Sequence, residues 1–422
     1  METLKQKTAR GLLWGGLNSG LQQVIGLAFG IVLGRLLCPD DYGMMAMISI
    51  FSLVATALQD SGFRTALTNL HNPTAEDYNS VFWFNILMAT TLYLILFFAA
   101  PLIGEYYHTE RVVPICRYSF LVIIIASLGT AQSAYLFKNL KARQQATAAA
   151  VAVLVSNMVG VTMAFAGFAY WALATQNLIY VAVNIGIQWH YSPWRPTLHG
   201  ITFAPVRRMF RFSCKVLATT IVNHVNNNVL NILLGHYFSA RATGYYNQAY
   251  QWNSKVIYLL QGMLGAVSQP VMVDLRNNPS RQLAALRKLV RFTAFLSFPL
   301  VLGFGLVSRE FILITLTEKW LQSASYLEIL CIGGAFLPIS TLLSDFIISQ
   351  GRSGVYLGST VTLGLLQIVS MVVLYPLGIR TMIVGAVTIN IVWTFVWLLL
   401  GGRLIGYRLP LFLRDIIPFG VA

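Results

Sequence analysis

Acidic residues are scarce in this chain. Only 14 of its 422 residues are Asp or Glu, against 29 Lys and Arg, and charged residues make up 10% in all. A water-soluble domain carries about a quarter charged residues, so a surface wetted on every side is excluded. Cysteine is nearly as sparse. Cys38, Cys116, Cys214 and Cys331 stand apart, with no CxxC and no metal-ligand spacing, and read as small apolar residues. Catalytic signatures are missing too. There is no GxxxxGK[ST] loop for ATP, no HExxH, no GxSxG and no carboxylate pair at glycosidase-like spacing. No dense basic run points to nucleic acid, and METLKQKTAR leads into an apolar segment too long for a cleaved signal. The sequence therefore calls for no cofactor, metal or catalytic residue.

What the chain does have is apolar length, with 56% hydrophobic residues. Apolar segments fall near 11–38, 44–68, 81–104, 113–136, 146–166 and 172–190. A second set falls near 212–238, 244–272, 290–314, 324–350, 354–376 and 380–402. Runs of about 18 or more apolar residues mark membrane spans. In lipid each span must satisfy its own backbone, which makes helices of them. The expectation is an all-α, polytopic membrane protein with about twelve complete transmembrane helices. With the N-terminus in the cytoplasm, beginning at Lys5, Lys7 and Arg10, twenty Lys and Arg fall on the inner side and seven on the outer. That bias is the positive-inside pattern and puts both ends in the cytoplasm.

LGRLLCPDDYG, from Leu33, and LGHYFSARATG, from Leu234, share a Leu-Gly…Gly skeleton 201 residues apart. They lie between spans one and two and between spans seven and eight. Two six-helix lobes related by a parallel internal repeat follow, over 1–190 and 212–403. Such repeats put a substrate path at the lobe interface and work by rocking. A Pro-containing stretch at 191–211 reads as a cytoplasmic linker. The end, 404–422, starts another apolar segment, either an interfacial piece or a thirteenth span that the chain does not finish.

Polar residues within spans face a cavity or another helix. Gln248, Gln251, Lys255 and Tyr258 recur at helical spacing on one face of span eight. Lys255 lies eleven residues past Gly244, about 16 Å deep and near mid-membrane. A lone ammonium there faces water or an anion, or snorkels. Asn18 and Gln22 in span one, and Asn223, Asn227 and Asn231 in span seven with His224 and Asn226 beside them, line either a wet passage or an interhelical contact. Asp60 and Arg64, four apart in span two beside Ser49, Ser52, Thr56 and Gln59, form a self-neutralised pair or hold a phosphate. Asp345 caps or packs a helix, or couples an ion. Asp40 and Asp41 open the helix that follows them.

LGRLLCPDDYGMMAM, LLGHYFSARATGYYNQAYQW, GFAYWALATQNLI and TEKWLQSASYLEIL, in that order, resemble motifs of the polysaccharide transport family of flippases, of the multidrug/oligosaccharidyl-lipid/polysaccharide exporter superfamily. The branch is similar to exporters of colanic and teichuronic acids. The resemblance implies alternating-access movement of undecaprenyl-diphosphate-linked oligosaccharide across the bacterial cytoplasmic membrane, beside other polysaccharide assembly proteins. Protons or sodium are the implied drive. Amides suit sugar hydroxyls, and Lys255 and Arg64 suit a diphosphate. The family commonly has fourteen spans, two more than are complete here.

Two other readings compete. A drug/cation antiporter of the same fold would concentrate acids in its lobes, where this chain has only Asp60 and Asp345. A membrane enzyme of polysaccharide assembly would need a large outer loop, and none is present.

Overall fold

The computed structural model describes residue 20 and residues 22–420, apart from 61, 199–201 and 277. Asn18, Lys5, Lys7 and Arg10 lie outside the described residues. Among those described there is no β-strand. The chain forms two compact units, 1–225 and 226–422.

In the first unit α1 (Gln22–Leu36) leads into α2 (Pro39–Asp60) and the short α3 (Phe63–Asn69). The Asp41 carboxylate accepts from the Cys38 backbone N–H at 2.8 Å, so the acids at this turn do start the helix. Next comes α4 (Ala75–Tyr106), begun by a capping box between Thr74 and Asp77. Then α5 (Val112–Ser119), α6 (Leu121–Ser127) and α7 (Thr130–Lys138) form one path, bent by 42° before α7. The antiparallel pair α8 (Ala142–Phe165) and α9 (Tyr170–Tyr191) completes the bundle.

The stretch after α9 is held down along α4. The Thr197 backbone N–H donates to Asn79 at 2.9 Å, and Trp83 Nε1 donates to the Thr197 carbonyl at 2.9 Å. Thr202 donates to Glu76, and Arg208 pairs with Asp77 at 2.6 Å. Helix α10 (Ala204–Tyr237) then begins with Val206 and Met209 in one core with Phe63, Leu67, Val81 and Phe82. The compact units part inside α10, between Val225 and Asn226. The start of α10 carries apolar side chains that the first bundle buries.

The second unit holds the rest of α10 and α11 (Ala240–Asp274), whose N-cap Ser239 accepts from the Ala242 N–H. There follow α12 (Pro279–Ser297), a π-helical turn at Phe298–Leu302, α13 (Gly303–Leu306) and α14 (Ser308–Thr315). Of the next four helices, α15 (Leu321–Gly334) and α16 (Leu337–Ser349) pack against α11, and α17 (Ser353–Leu374) and α18 (Ile379–Gly402) pack on each other, with α18 also against α15 and α16. The chain closes on α19 (Leu409–Gly420), packed on α12.

Among the described residues, helix is found in each of the segments expected from the sequence. By length and apolarity, seven helical stretches qualify as membrane-crossing among the described residues, or eight with the bent path of α5–α7. The physical reason is polar content. Gln176, Asn177, Asn184 and Gln188 lie on α9, and α10 and α11 carry the Asn and Gln stripes. Their lengths are ample, since the 34 residues of α10 span about 51 Å.

Candidate functional site

The first unit has an open cavity of about 340 Å³ where α2 ends. Its polar lining is Thr56, Gln59, Asp60, Arg64, Thr130, Ser133, Gln188, Thr220 and His224. The sequence expected Asp60 and Arg64 on one continuous helix. Instead α2 stops at Asp60, Gly62 turns left-handed at φ 71°, and α3 restarts at Phe63. The Asp60 carboxylate accepts from the backbone N–H groups of Gly62 and Arg64. The acid thus caps a restarted helix, with the Arg64 guanidinium next to it. Gln59, 1% exposed, donates to Thr130 Oγ1 at 3.2 Å and ties α2 to α7. Ser49 and Thr56 spend their hydroxyl protons on carbonyls of their own helix, Ala46 and Ser52.

Thr220 and His224 enter this cavity from α10. Beyond them the Asn stripe splits. Asn223 is half-buried and Asn227 exposed. Asn226 donates to the Thr360 carbonyl of α17 at 3.1 Å, and Asn231 is buried. For Asn226 the helix-contact reading holds. Gln22 is half-buried on α1 and does not line the cavity.

In the second unit the face expected on α11 is real but divided. Gln251 and Tyr258 are exposed and Lys255 half-buried, whereas Gln248 turns into the bundle with its Oε1 unpartnered. The Lys255 Nζ sits 4.1 Å from the centroid of the Trp252 ring. That cation–π contact is worth about 0.5–2 kcal/mol. Among the described residues no carboxylate is within ion-pairing distance of Lys255, so its charge is met by a ring alone. Asp345 is half-buried on α16 one turn from Thr341, which accepts from Gln261 of α11 at 2.8 Å. Arg352 forms no ion pair with Asp345.

The arrangement offers hydroxyls and amides around an Asp–Arg pair in one unit, and an unneutralised ammonium on an open helical face in the other. Groups of these kinds are able to bind anions and hydroxylated ligands. Among the described residues no cluster of His, Cys, Asp and Glu is suited to a metal. Comparison with known proteins supplies the context. A family model described as "Polysaccharide biosynthesis protein" matches residues 32–325. The chain belongs to this polysaccharide biosynthesis protein family.

Among relatives, it is 22% identical over 356 residues to the lipopolysaccharide biosynthesis protein WzxC of Escherichia coli, covering 83% of this chain and 71% of that one. It is 24% identical over 365 residues to the teichuronic acid biosynthesis protein TuaB of Bacillus subtilis, covering 84% and 73%. The fold resembles the lipid II flippase MurJ in an inward closed conformation, with a TM-score of 0.76 at 13% identity, covering 97% and 91%. For this member of the family, the sequence indicated Asp60, Arg64 and Gln59 but missed Thr130, Ser133, Gln188 and Thr220. The last four carry no periodic signal of their own. They reach the cavity only because the bend before α7, the end of α9 and the middle of α10 converge there.

Proposed function

We propose that this protein is a flippase that moves a lipid-linked oligosaccharide of polysaccharide synthesis across the membrane by alternating access. The observation that carries this reading is the family match across residues 32–325 on an all-helical membrane fold. Its site chemistry agrees. Among the described residues Lys255 has no counter-ion and suits a diphosphate, and in the first unit Arg64 beside Asp60 offers a tempered positive charge of its own. Hydroxyls and amides from Thr130, Ser133, Gln188, Gln251, Asn223 and Asn227 suit varied sugar hydroxyls. Gln22, Gln248 and Tyr258 complete the assigned contacts, with Asp345 and protons or sodium assigned to coupling. We place the protein in the bacterial inner membrane with both ends cytoplasmic, as a transporter and not an enzyme.

The test is export in a strain lacking the chromosomal copy. The chain should restore surface polysaccharide and shift the lipid-linked precursor to the outer leaflet. A protein that inserts normally yet leaves the precursor inside would sink the proposal. Restored drug resistance without restored polysaccharide would favour the antiporter reading.

A further inference from the structure

The α12–α19 junction is built around one buried acid. Asp415, 1% exposed, accepts from Arg287 Nε at 2.8 Å and Nη2 at 2.9 Å, from Arg291 Nε at 2.6 Å and from the Tyr407 hydroxyl at 2.9 Å. A single carboxylate cannot neutralise two guanidiniums. Arg291 stays half exposed, and among the described residues its two Nη groups make no protein hydrogen bond. Lys288 sits next to Arg287 and one turn from Arg291. Arg414 adjoins Asp415, and both Lys288 and Arg414 are exposed. Two cations therefore hold one acid that is already fully used, and two more, Lys288 and Arg414, stand beside them on the same two helices.

The other half of the surface is apolar. Immediately past Arg291, α12 exposes Phe292 and Phe295, and the Phe295 ring packs on Phe419 of α19 at 5.8 Å. Ile417 extends the same character on α19. Along α12, basic positions end and exposed rings begin at one point, Arg291 to Phe292. That transition lies inside a stretch, Pro279–Leu306, long and apolar enough to cross a membrane. A cation row at the edge of a hydrocarbon-facing aromatic surface matches the headgroup and acyl regions of a phospholipid.

We infer that Lys288, Arg291 and Arg414 bind the headgroup of an acidic phospholipid, with its acyl chains along Phe292 and Phe295. In this site Asp415 is the organiser. It anchors Arg287 and turns Arg291 so that its free guanidinium edge is offered to the lipid phosphate. The excess charge selects an acidic headgroup over a zwitterionic one, whose own cation would meet the same arginines.

The test uses the purified full chain in nanodiscs of phosphatidylcholine, or of an equal mixture with phosphatidylglycerol. Thermal unfolding and native mass spectrometry of retained lipid are the two readouts. Phosphatidylglycerol should raise the midpoint by a few degrees and be retained preferentially. The double variant Lys288→Gln/Arg414→Gln, which leaves every Asp415 partner in place, should lose at least half of that shift and retention. Equal midpoints in the two nanodiscs, or an undiminished shift in the variant, would overturn the inference. So would an equal shift from inorganic phosphate added to phosphatidylcholine nanodiscs, because the site would then be one for the free anion.

Discussion

The side-chain amide of Gln176 donates to Oδ1 of Asn157 at 3.0 Å, joining α9 to α8. The second unit repeats the bond. There Gln367 donates to Asn390 at 3.0 Å, joining α17 to α18. A second pair of bonds runs in parallel, from Gln59 to Thr130 between α2 and α7 and from Gln261 to Thr341 between α11 and α16. In the order of expected spans, these join the fifth to the sixth and the second to the fourth in both units. The Gln59–Thr130 and Gln261–Thr341 bridges run the same way round and the Gln–Asn bridges exchange donor and acceptor, but both pairs join corresponding spans, as a parallel repeat would.

Breaking either amide bridge should cost little. Gln176→Leu and Gln367→Leu are each expected to lower stability by about 1 kcal/mol, the usual scale of interhelical hydrogen bonds in membranes. Double-mutant cycles with Asn157→Leu and Asn390→Leu, read by unfolding in mild detergent, give the coupling. A coupling near zero in both would mean that each amide finds another partner.

Lys255→Ala should separate transport from folding. Losing the contact with Trp252 costs at most about 2 kcal/mol of stability. Losing a charge-assisted contact to a diphosphate, about 1.5–3 kcal/mol, should cut export by about tenfold or more. Abundance and leaflet distribution of the precursor are the measurements. Normal export by the variant would remove Lys255 from the site and leave the family assignment intact.

Gly62→Ala places a side chain at φ 71°, at a cost of about 1–2 kcal/mol. The strain falls between Asp60 and Arg64, so export should suffer even where the protein remains abundant. The check is to compare the melting temperature and export of this variant with those of Thr68→Ala, an exposed hydroxyl on the same short helix.

Asp415→Asn leaves two partly exposed guanidiniums facing a neutral amide and should cost about 1.5–3 kcal/mol, the scale of hydrogen bonds to charged groups. Burial acts to raise the Asp415 carboxyl. The bonds from Arg287, Arg291 and Tyr407 outweigh it and hold the group below its ordinary value of 3.8. Stability from this group is therefore full above that value, and is lost as pH falls through the lower folded one. Melting followed from pH 7 down to about 3 should show a loss in the parent that is reduced in the variant. Parallel curves would mean that Asp415 titrates alike in the folded and unfolded protein.

The helices were legible because lipid leaves a long apolar run no other option, and Asp41 at a turn was legible as a start signal. The breaks were not. Asp60 and Arg64 have the spacing of an ordinary helical pair, and only the left-handed Gly62 between them turns the acid into a cap. Amides were visible as stripes, but a stripe does not name its partner. Asn226 went to a carbonyl on α17, while Asn227 remained exposed. Gln176 is one of several amides on α9, and its pairing with Asn157 depends on how α8 lies against α9. Asp415 drew no attention for a related reason. Its two arginine partners are more than a hundred residues away in the chain.

The stretch between α9 and α10 has the prolines and polarity of a tether, yet Asn79, Trp83, Glu76 and Asp77 hold it against α4. That makes it a poor place to cut. A protease site or fluorescent insert at Thr197 would pry a strap off the first bundle. Separately expressed halves divided there would leave Val206 and Met209 on the wrong fragment. A functional two-piece version of this protein should be split elsewhere, at a turn whose backbone is not already occupied.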